Sequence, residues 1–520
     1  MPQSHQFYTL KIFLISSKWC TLIVLYHSSL QIHCYMTPAD MPESGQVLPD
    51  QSSKSIEFSP RVQSLDVLRG IAVLFALFIS IWFFGGFSQN MQSGLLLSSK
   101  GFDYRLFGTV DLLLDGKMRA LIAIVFGAGM LLFLSKDNQK GALPTHDLYI
   151  RRQMWLGIFG IINGVLFFWT QDVLFHLAIM GILLFPFARM SAKGLFILAA
   201  FFTLIYCGKN YWRYAEDKTT YAKYLAVVDV EKKITHDSAN KAKAIVAAGI
   251  KDSTAKKDTL TKKQGEEKGA WEGLLAGMKY DPKKDDGDRK EMQKTSYASL
   301  YDHLLPRLQQ REAQWTYQYG IWDFGSMIVL GMALFKIGFF VNRFPRSRYL
   351  LIALAAITIG LLLGWYRLHN QQHSLQDYGK YINNHFFPHH VLFPLERALL
   401  AVGYTSLVIF FINAGVLRFL FQALANVGRL ALSNYLLQSL VCTLFFTGFG
   451  MGYFAHLSQL QLYLFAIEVS VIQIVLSTLW LRVYQIGPAE WLWRCLIYGK
   501  RLPFTRKKAS IVKPSIPTVF

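Results

Sequence analysis

Asp66 and Arg69 stand three residues apart in the run Ser64-Leu-Asp-Val-Leu-Arg-Gly70, which opens directly into the apolar stretch Ile71 to Phe84. Helical spacing puts the acid and the base on one face. That face lies where an apolar helix enters a bilayer, and charges near hydrocarbon are costly and as a rule functional. Two readings fit: an interfacial ion pair that fixes the helix end, or a mouth where Arg69 meets the phosphates of a ligand. A second charged group is Asp111-Leu-Leu-Leu-Asp115-Gly-Lys117-Met-Arg119. Asp111 and Asp115 share a helix face, with Lys117 and Arg119 within a turn, as ligand contacts or as the counter-ions of a helix entry. The following Phe126-Gly127-Ala128-Gly129-Met130 admits a close helix or ligand. Asp172 and His176 are four apart, the spacing of a carboxylate that orients an imidazole as general base, or of a purely structural pair.

Further along, Glu396 and Arg397 enter an apolar segment side by side. Adjacent helical residues point about 100° apart, so the two are expected to serve different partners. Glu396 is a third catalytic candidate, and Arg397 is placed to reach an acid on another helix. Asn434 and Gln438 at i, i+4, then Glu468 and Gln473, lie deep in apolar sequence. The amides read as interhelical glue. A mid-span carboxyl such as Glu468 must be protonated or matched by a base. His369, His373, His385, His389 and His390 crowd one loop, but no H-x-x-x-H set among them sits on a clear helix with acidic partners, and Pro388 interrupts the local order; no metal site is expected.

These residues need a membrane to hold them. The chain has 520 residues, 52% hydrophobic and 17% charged, against roughly 25% charged in ordinary soluble proteins. Its apolar residues come in blocks near the roughly 20 needed to cross hydrocarbon. The fold class is therefore all-α: a polytopic transmembrane bundle with a long extracytoplasmic helical insert. The five cysteines (Cys20, Cys34, Cys207, Cys442, Cys495) are scattered and show no zinc or disulfide spacing. The net charge of +21 does not indicate nucleic acid, because Lys and Arg gather in short loops and the tail, the positive-inside signal.

Ten spans are expected, at about 67–85, 118–134, 154–170, 173–188, 194–208, 320–341, 348–366, 391–413, 430–448 and 460–481. The loop cations place both termini in the cytoplasm. The units are an N-terminal extension 1–59, a first membrane half 60–208, an insert 209–319, a second membrane half 320–482 and a basic tail 483–520. Residues 1–35 read as an extension upstream of an ordinary start at Met36, with a signal anchor as the alternative. Within the insert, 218–250 and 297–318 are expected helical, and the glycine-rich 265–288 looser.

The ordered motifs SLDVLRGIAVL, DGKMRALIAIVFGAGM, RRQMWLGIFGIINGVLFFWTQDVLFHLAIMGILLFPF, GRLALSNYLLQSLVCTLFF and GPAEWLWRCLIYGKR resemble the bacterial YeiB-like membrane proteins, the domain-of-unknown-function 418 (DUF418) family. The opening element is similar to that of transmembrane acyltransferases that acetylate sugars or lipids. That resemblance implies a bacterial inner (plasma) membrane protein, acetyl-CoA or another acyl-CoA as co-substrate and a lipid or glycan acceptor. Those enzymes use a histidine between the first two spans, and this chain has none between Pro60 and Leu143. The base would then come from His176, Asp111, Asp115 or Glu396. Proton-coupled or anion transport through Glu468, Glu396 and Arg397 is a second reading, although no internal repeat is apparent. A scaffold without chemistry is the third, and a homo-oligomer is compatible with all of them.

Overall fold

The computed structural model describes residues 62–98, 100–135, 145–247 and 259–505; the extension 1–59, with the alternative start at Met36, lies outside them. The described chain is helical, with no strand beyond one isolated bridge between Tyr484 and Thr505. In order the helices are α1 (Gln63–Phe84), α2 (Gln89–Ser98), α3 (Phe102–Leu113), α4 (Lys117–Leu134), α5 (Thr145–Leu166), α6 (Leu174–Leu183) and α7 (Ala192–Ala247). The insert adds α8 (Lys262–Met278), α9 (Pro282–Met292) and α10 (Tyr297–Gln309). Then come α11 (Ile321–Lys336), α12 (Arg346–Gln376), α13 (Tyr378–Asn384), α14 (Phe393–Ala414), α15 (Arg418–Arg429), α16 (Ala431–Phe446), α17 (Gln459–Val483) and α18 (Pro488–Tyr498).

Each of the ten expected spans coincides with helix, but not every one of those helices is long and apolar enough to cross a membrane by itself. Six helices among the described residues are long and apolar enough to cross a membrane, seven if α15 and α16, bent by 78°, form one broken span. Helix α5 carries Asp147, Arg151 and Arg152 in its first turns, α6 has 10 residues and α11 has 16. Helix α11 need not face lipid: Phe324 to Val329 and Gly331 to Leu334 are buried because α4 and α7 enclose it. A short apolar helix of this kind is a core element.

Helix α4 is the hub, packed by α1, α11 and α14. It meets α11 closely, since a Cβ on Gly127 would overlap the Ile328 carbonyl and one on Gly331 the Ile124 carbonyl. The α1–α15 crossing is as tight: Gly70 faces the Leu424 carbonyl and Gly428 the Asp66 carbonyl with no room for a methyl. The expected boundary at 208/209 falls inside the 56-residue α7, which runs on into the insert. The stretch 265–288 is helical rather than loose, divided between α8 and α9. A Thr261–Gln264 capping box starts α8, and Lys268 reaches Glu231 of α7 at 2.6 Å. Trp271 packs against Tyr221, Tyr224 and Tyr378, tying α8 of the insert to α7 and α13.

Candidate functional site

Asp111 closes α3 and Lys117 opens α4, and between them Gly116 takes a left-handed φ of +71°. A side chain there would also strike Arg397 and Phe393. The glycine thus makes the turn and lets α14 approach. Four helix ends then converge on one buried ion-pair network. Lys117 Nζ lies 2.6 Å from Glu396 Oε1 and donates to the Asp111 carbonyl at 3.0 Å. Arg367 on α12 donates through Nη2 to Asp111 Oδ2 at 2.6 Å and through Nε to Glu396 Oε2 at 2.8 Å. Arg397 pairs with Asp323 of α11, and Arg119 reaches the same carboxylate at 3.2 Å. The Phe393 ring lies under three of the cations, 4.9 Å from Arg397, 5.0 Å from Arg367 and 5.5 Å from Lys117. Lys117 and Arg397 are completely buried and Glu396 nearly so.

Asp115 differs from its neighbours. It shares the surroundings of Asp111, Lys117, Arg367 and Arg119, but among the described residues its carboxylate has no ion pair or hydrogen bond. It is half-buried and, with Arg119, lines a cavity of about 100 Å³ with Ser80, Gln171, Trp169 and Tyr435. A larger chamber of about 730 Å³ shares Phe83, Trp169 and Gln171 with it and lies under the insert. Its wall includes Asp285, Asp288, Arg307 and Arg311. Arg311 stacks 3.4 Å from the Trp315 ring centre. Both residues sit on 310–320, a run of wide π-type turns joining α10 to α11, a backbone form frequent at functional sites.

Asp172 and His176 do not pair. Helix α6 begins only at Leu174, so Asp172 precedes it. Its Oδ2 accepts from the Phe175 N–H at 2.8 Å, a helix-start bond. Its Oδ1 accepts from Asn163 at 2.8 Å and from the Tyr435 hydroxyl at 3.2 Å. Burial still raises its carboxyl to about 6. His176 instead stacks on Phe324 and meets the Trp315 edge, and neither ring nitrogen makes a well-formed hydrogen bond. Glu396 is likewise no free base, because Lys117 and Arg367 hold both its oxygens. That Glu396 and Arg397 serve different partners agrees with their spacing.

The opening motif forms its ion pair, Arg69 Nη1 to Asp66 Oδ1 at 3.0 Å, at the opposite end of α1 from the chamber. Ser64 donates to the Phe340 carbonyl at 2.6 Å, and Gly70 serves the α1–α15 crossing. Near Arg69, Arg152 lies over the rings of Phe133 and Trp493. The amides are glue: Gln438 donates to Gln473 at 2.8 Å, and Asn434 to Ser477 at 2.9 Å. Glu468 stands apart, exposed on α17. His369 and His373 touch at 3.2 Å, while His385 and His389 pack on Tyr381. Among the described residues no three His, Cys, Asp or Glu side chains gather as a metal site.

Sequence reasoning missed Asp323, Arg311 and the role of Arg367, which reads as a loop cation. The available signal was one acid within the otherwise apolar run Ile321 to Leu334.

An all-helical membrane-type bundle, with a buried ion-pair network and a chamber whose wall carries Asp285, Asp288, Arg307 and Arg311, is the class of protein this geometry defines. Residues 334–500 match the family model described as "Protein of unknown function (DUF418)". The chain is similar to the uncharacterized protein YxaH of Bacillus subtilis, 24% identical over 86% of this chain and 96% of that one. It is also similar to the uncharacterized protein YeiB of Escherichia coli, 26% identical over 83% and 95%. An uncharacterized 39.9 kDa protein of Bacillus acidopullulyticus is 31% identical over 110 residues, 21% of this chain and 31% of that one. No solved structure matches.

Proposed function

We propose that this protein is a plasma-membrane acyltransferase, with both termini cytoplasmic, that moves an acyl group from a CoA-type thioester to a hydroxyl or amine on a lipid or glycan. The observation that carries the reading is Asp115. Of the four carboxylates at the network (Asp111, Asp115, Asp323, Glu396), three are pinned by cations, and Asp115 faces a cavity unpaired. An unpaired carboxylate beside a fixed guanidinium can take and return a proton. In the proposed step the acceptor O–H or N–H gives its proton to Asp115 and the heteroatom bonds to the thioester carbonyl carbon. The C–S bond then breaks, and the departing thiolate recovers that proton as the free thiol. Arg119 stabilises the developing oxyanion. The donor's phosphates would meet Arg69 and Arg152 at the far end of α1. Its acyl arm would then extend about 21 Å, the helical rise from Arg69 to Phe83.

The test compares detergent-purified protein with acetyl-CoA and with adenosine diphosphate. A ligand at about 100 times its dissociation constant stabilises the folded state by roughly 2.7 kcal/mol. A donor-specific rise in melting temperature is expected, lost in Arg69→Ala. Asp115→Asn should melt normally and keep the donor shift while losing acyl transfer. Full transfer by Asp115→Asn, or no donor-specific shift in the unaltered protein, would refute the reading; uptake into vesicles would then be measured.

A further inference from the structure

Glu468 is ionisable and exposed in the interior of an apolar membrane helix. It lies nine residues from the start of α17 and fifteen from its end, about 14 and 22 Å along the axis, well inside a hydrocarbon core of roughly 30 Å. Among the described residues it has no ion pair or hydrogen bond. Its helix buries the opposite face, through Leu462, Tyr463, Ala466, Val469 and Gln473.

The exposed face is patterned. Gln461, Leu464, Glu468, Val471, Val475 and Leu479 follow one another at steps of three and four and are all exposed, the spacing of a helix–helix seam. Apolar exposure alone needs no more than lipid. A carboxyl within the seam does, because at that depth lipid offers it neither a hydrogen bond nor a counter-ion.

We infer that this face of α17 docks against the same face of a second copy, with the two Glu468 side chains meeting at the two-fold axis. Symmetry brings a residue on the axis against itself, and a carboxyl is suited to that position because two can share one proton, one donating and one accepting. Exposed cations such as Arg151, Lys193, Arg346, Arg348, Arg418 and Arg482 lie towards the ends of their helices, so the described residues of a second copy offer no basic partner midway along its apolar helices. One polar group in an apolar seam also fixes its register.

The experiment counts subunits by stepwise photobleaching of the full chain at low density in phospholipid vesicles. It is paired with cysteine cross-linking of Leu464→Cys and Val475→Cys, with Leu351→Cys on the exposed face of α12 as control and the unaltered chain as background. Two bleaching steps are expected, with cross-links at 464 and 475 of twice the chain mass and none at 351. Glu468→Gln should stay dimeric, because paired amides also hydrogen-bond each other. Glu468→Leu, which suits lipid and leaves the fold intact, should weaken the dimer at least tenfold. Single-step bleaching, equal cross-linking at 351, a cross-linked product of another mass, or an undiminished Glu468→Leu dimer would each overturn the inference. None of these readouts depends on acyl transfer.

Discussion

Replacing Arg367 by Met tests whether the buried network holds the bundle together. Arg367 ties Asp111 at 2.6 Å and Glu396 at 2.8 Å. Methionine fills much of the same space but leaves two carboxylates with Lys117 as their nearest cation. Lys117 already serves Glu396, so the Asp111 carboxylate is stranded in a site where it is 6% exposed. Breaking a buried pair from one side costs about 3–5 kcal/mol, mostly the uncompensated charge left behind. Against a net stability of about 5–15 kcal/mol for folded domains, that is a major loss. Arg367→Lys keeps the charge but loses the fork, so about 1.5–3 kcal/mol is expected, the worth of one charged hydrogen bond. The assay is equilibrium unfolding in mixed micelles, with Asp111→Asn made alone and in combination. Neutralising the stranded acid should recover part of the loss, giving a coupling of about 1–3 kcal/mol. A loss below about 1 kcal/mol in Arg367→Met, or a coupling near zero, would refute the assignment of these pairs as structural ties.

Gly428→Ala drives a methyl into the Asp66 carbonyl at the α1–α15 crossing; overpacking of about 1–3 kcal/mol is expected in the same unfolding assay. Gly269→Ala on α8 meets open space, and better helix propensity should raise insert stability by about 0.5–1 kcal/mol. Burial, with the Asp172 charge nearby, raises Glu312 to about 7, and burial raises Asp172 to about 6. Both folded values exceed the unfolded ones, so the folded state binds more protons between about pH 4 and 7 and stability falls as pH rises through that window. Melting temperature should therefore drop from pH 5 to pH 7.5, with a smaller drop in Glu312→Gln; an unchanged slope in that variant would assign the effect elsewhere.

Much of the fold was legible because hydropathy is a local signal: every expected span lies on helix. The number of spans was not, because whether α11 faces lipid or protein depends on α4 and α7, neither adjacent to it in sequence. The site was half legible. Asp111, Lys117, Glu396 and Arg397 show themselves as charges at the edges of apolar runs, but their partners do not. Asp111 meets Arg367 across 256 positions, a relation no local spacing encodes. Where spacing was used to infer a contact, it succeeded only within real helix. Asp66 and Arg69 pair, whereas Asp172 and His176 do not, since the helix starts two residues after the acid.

The network's topology bears on the choice between chemistry and transport. Asp111, Lys117 and Arg119 come from the first membrane half, and Asp323, Arg367, Glu396 and Arg397 from the second. Three of the ion pairs (Lys117–Glu396, Arg367–Asp111, Arg119–Asp323) therefore cross the seam between halves. Alternating access commonly rocks one half of a bundle against the other. Doing so here would break three buried pairs; Asp323 and Glu396 would keep Arg397 and Arg367 of their own half, while Asp111 would lose its arginine, and a charge stranded in this way costs about 3–5 kcal/mol. Helices α4 and α11 reinforce the same seam at Gly127 and Gly331, where backbone lies on backbone. Rocking along that line would also have to part backbone from backbone.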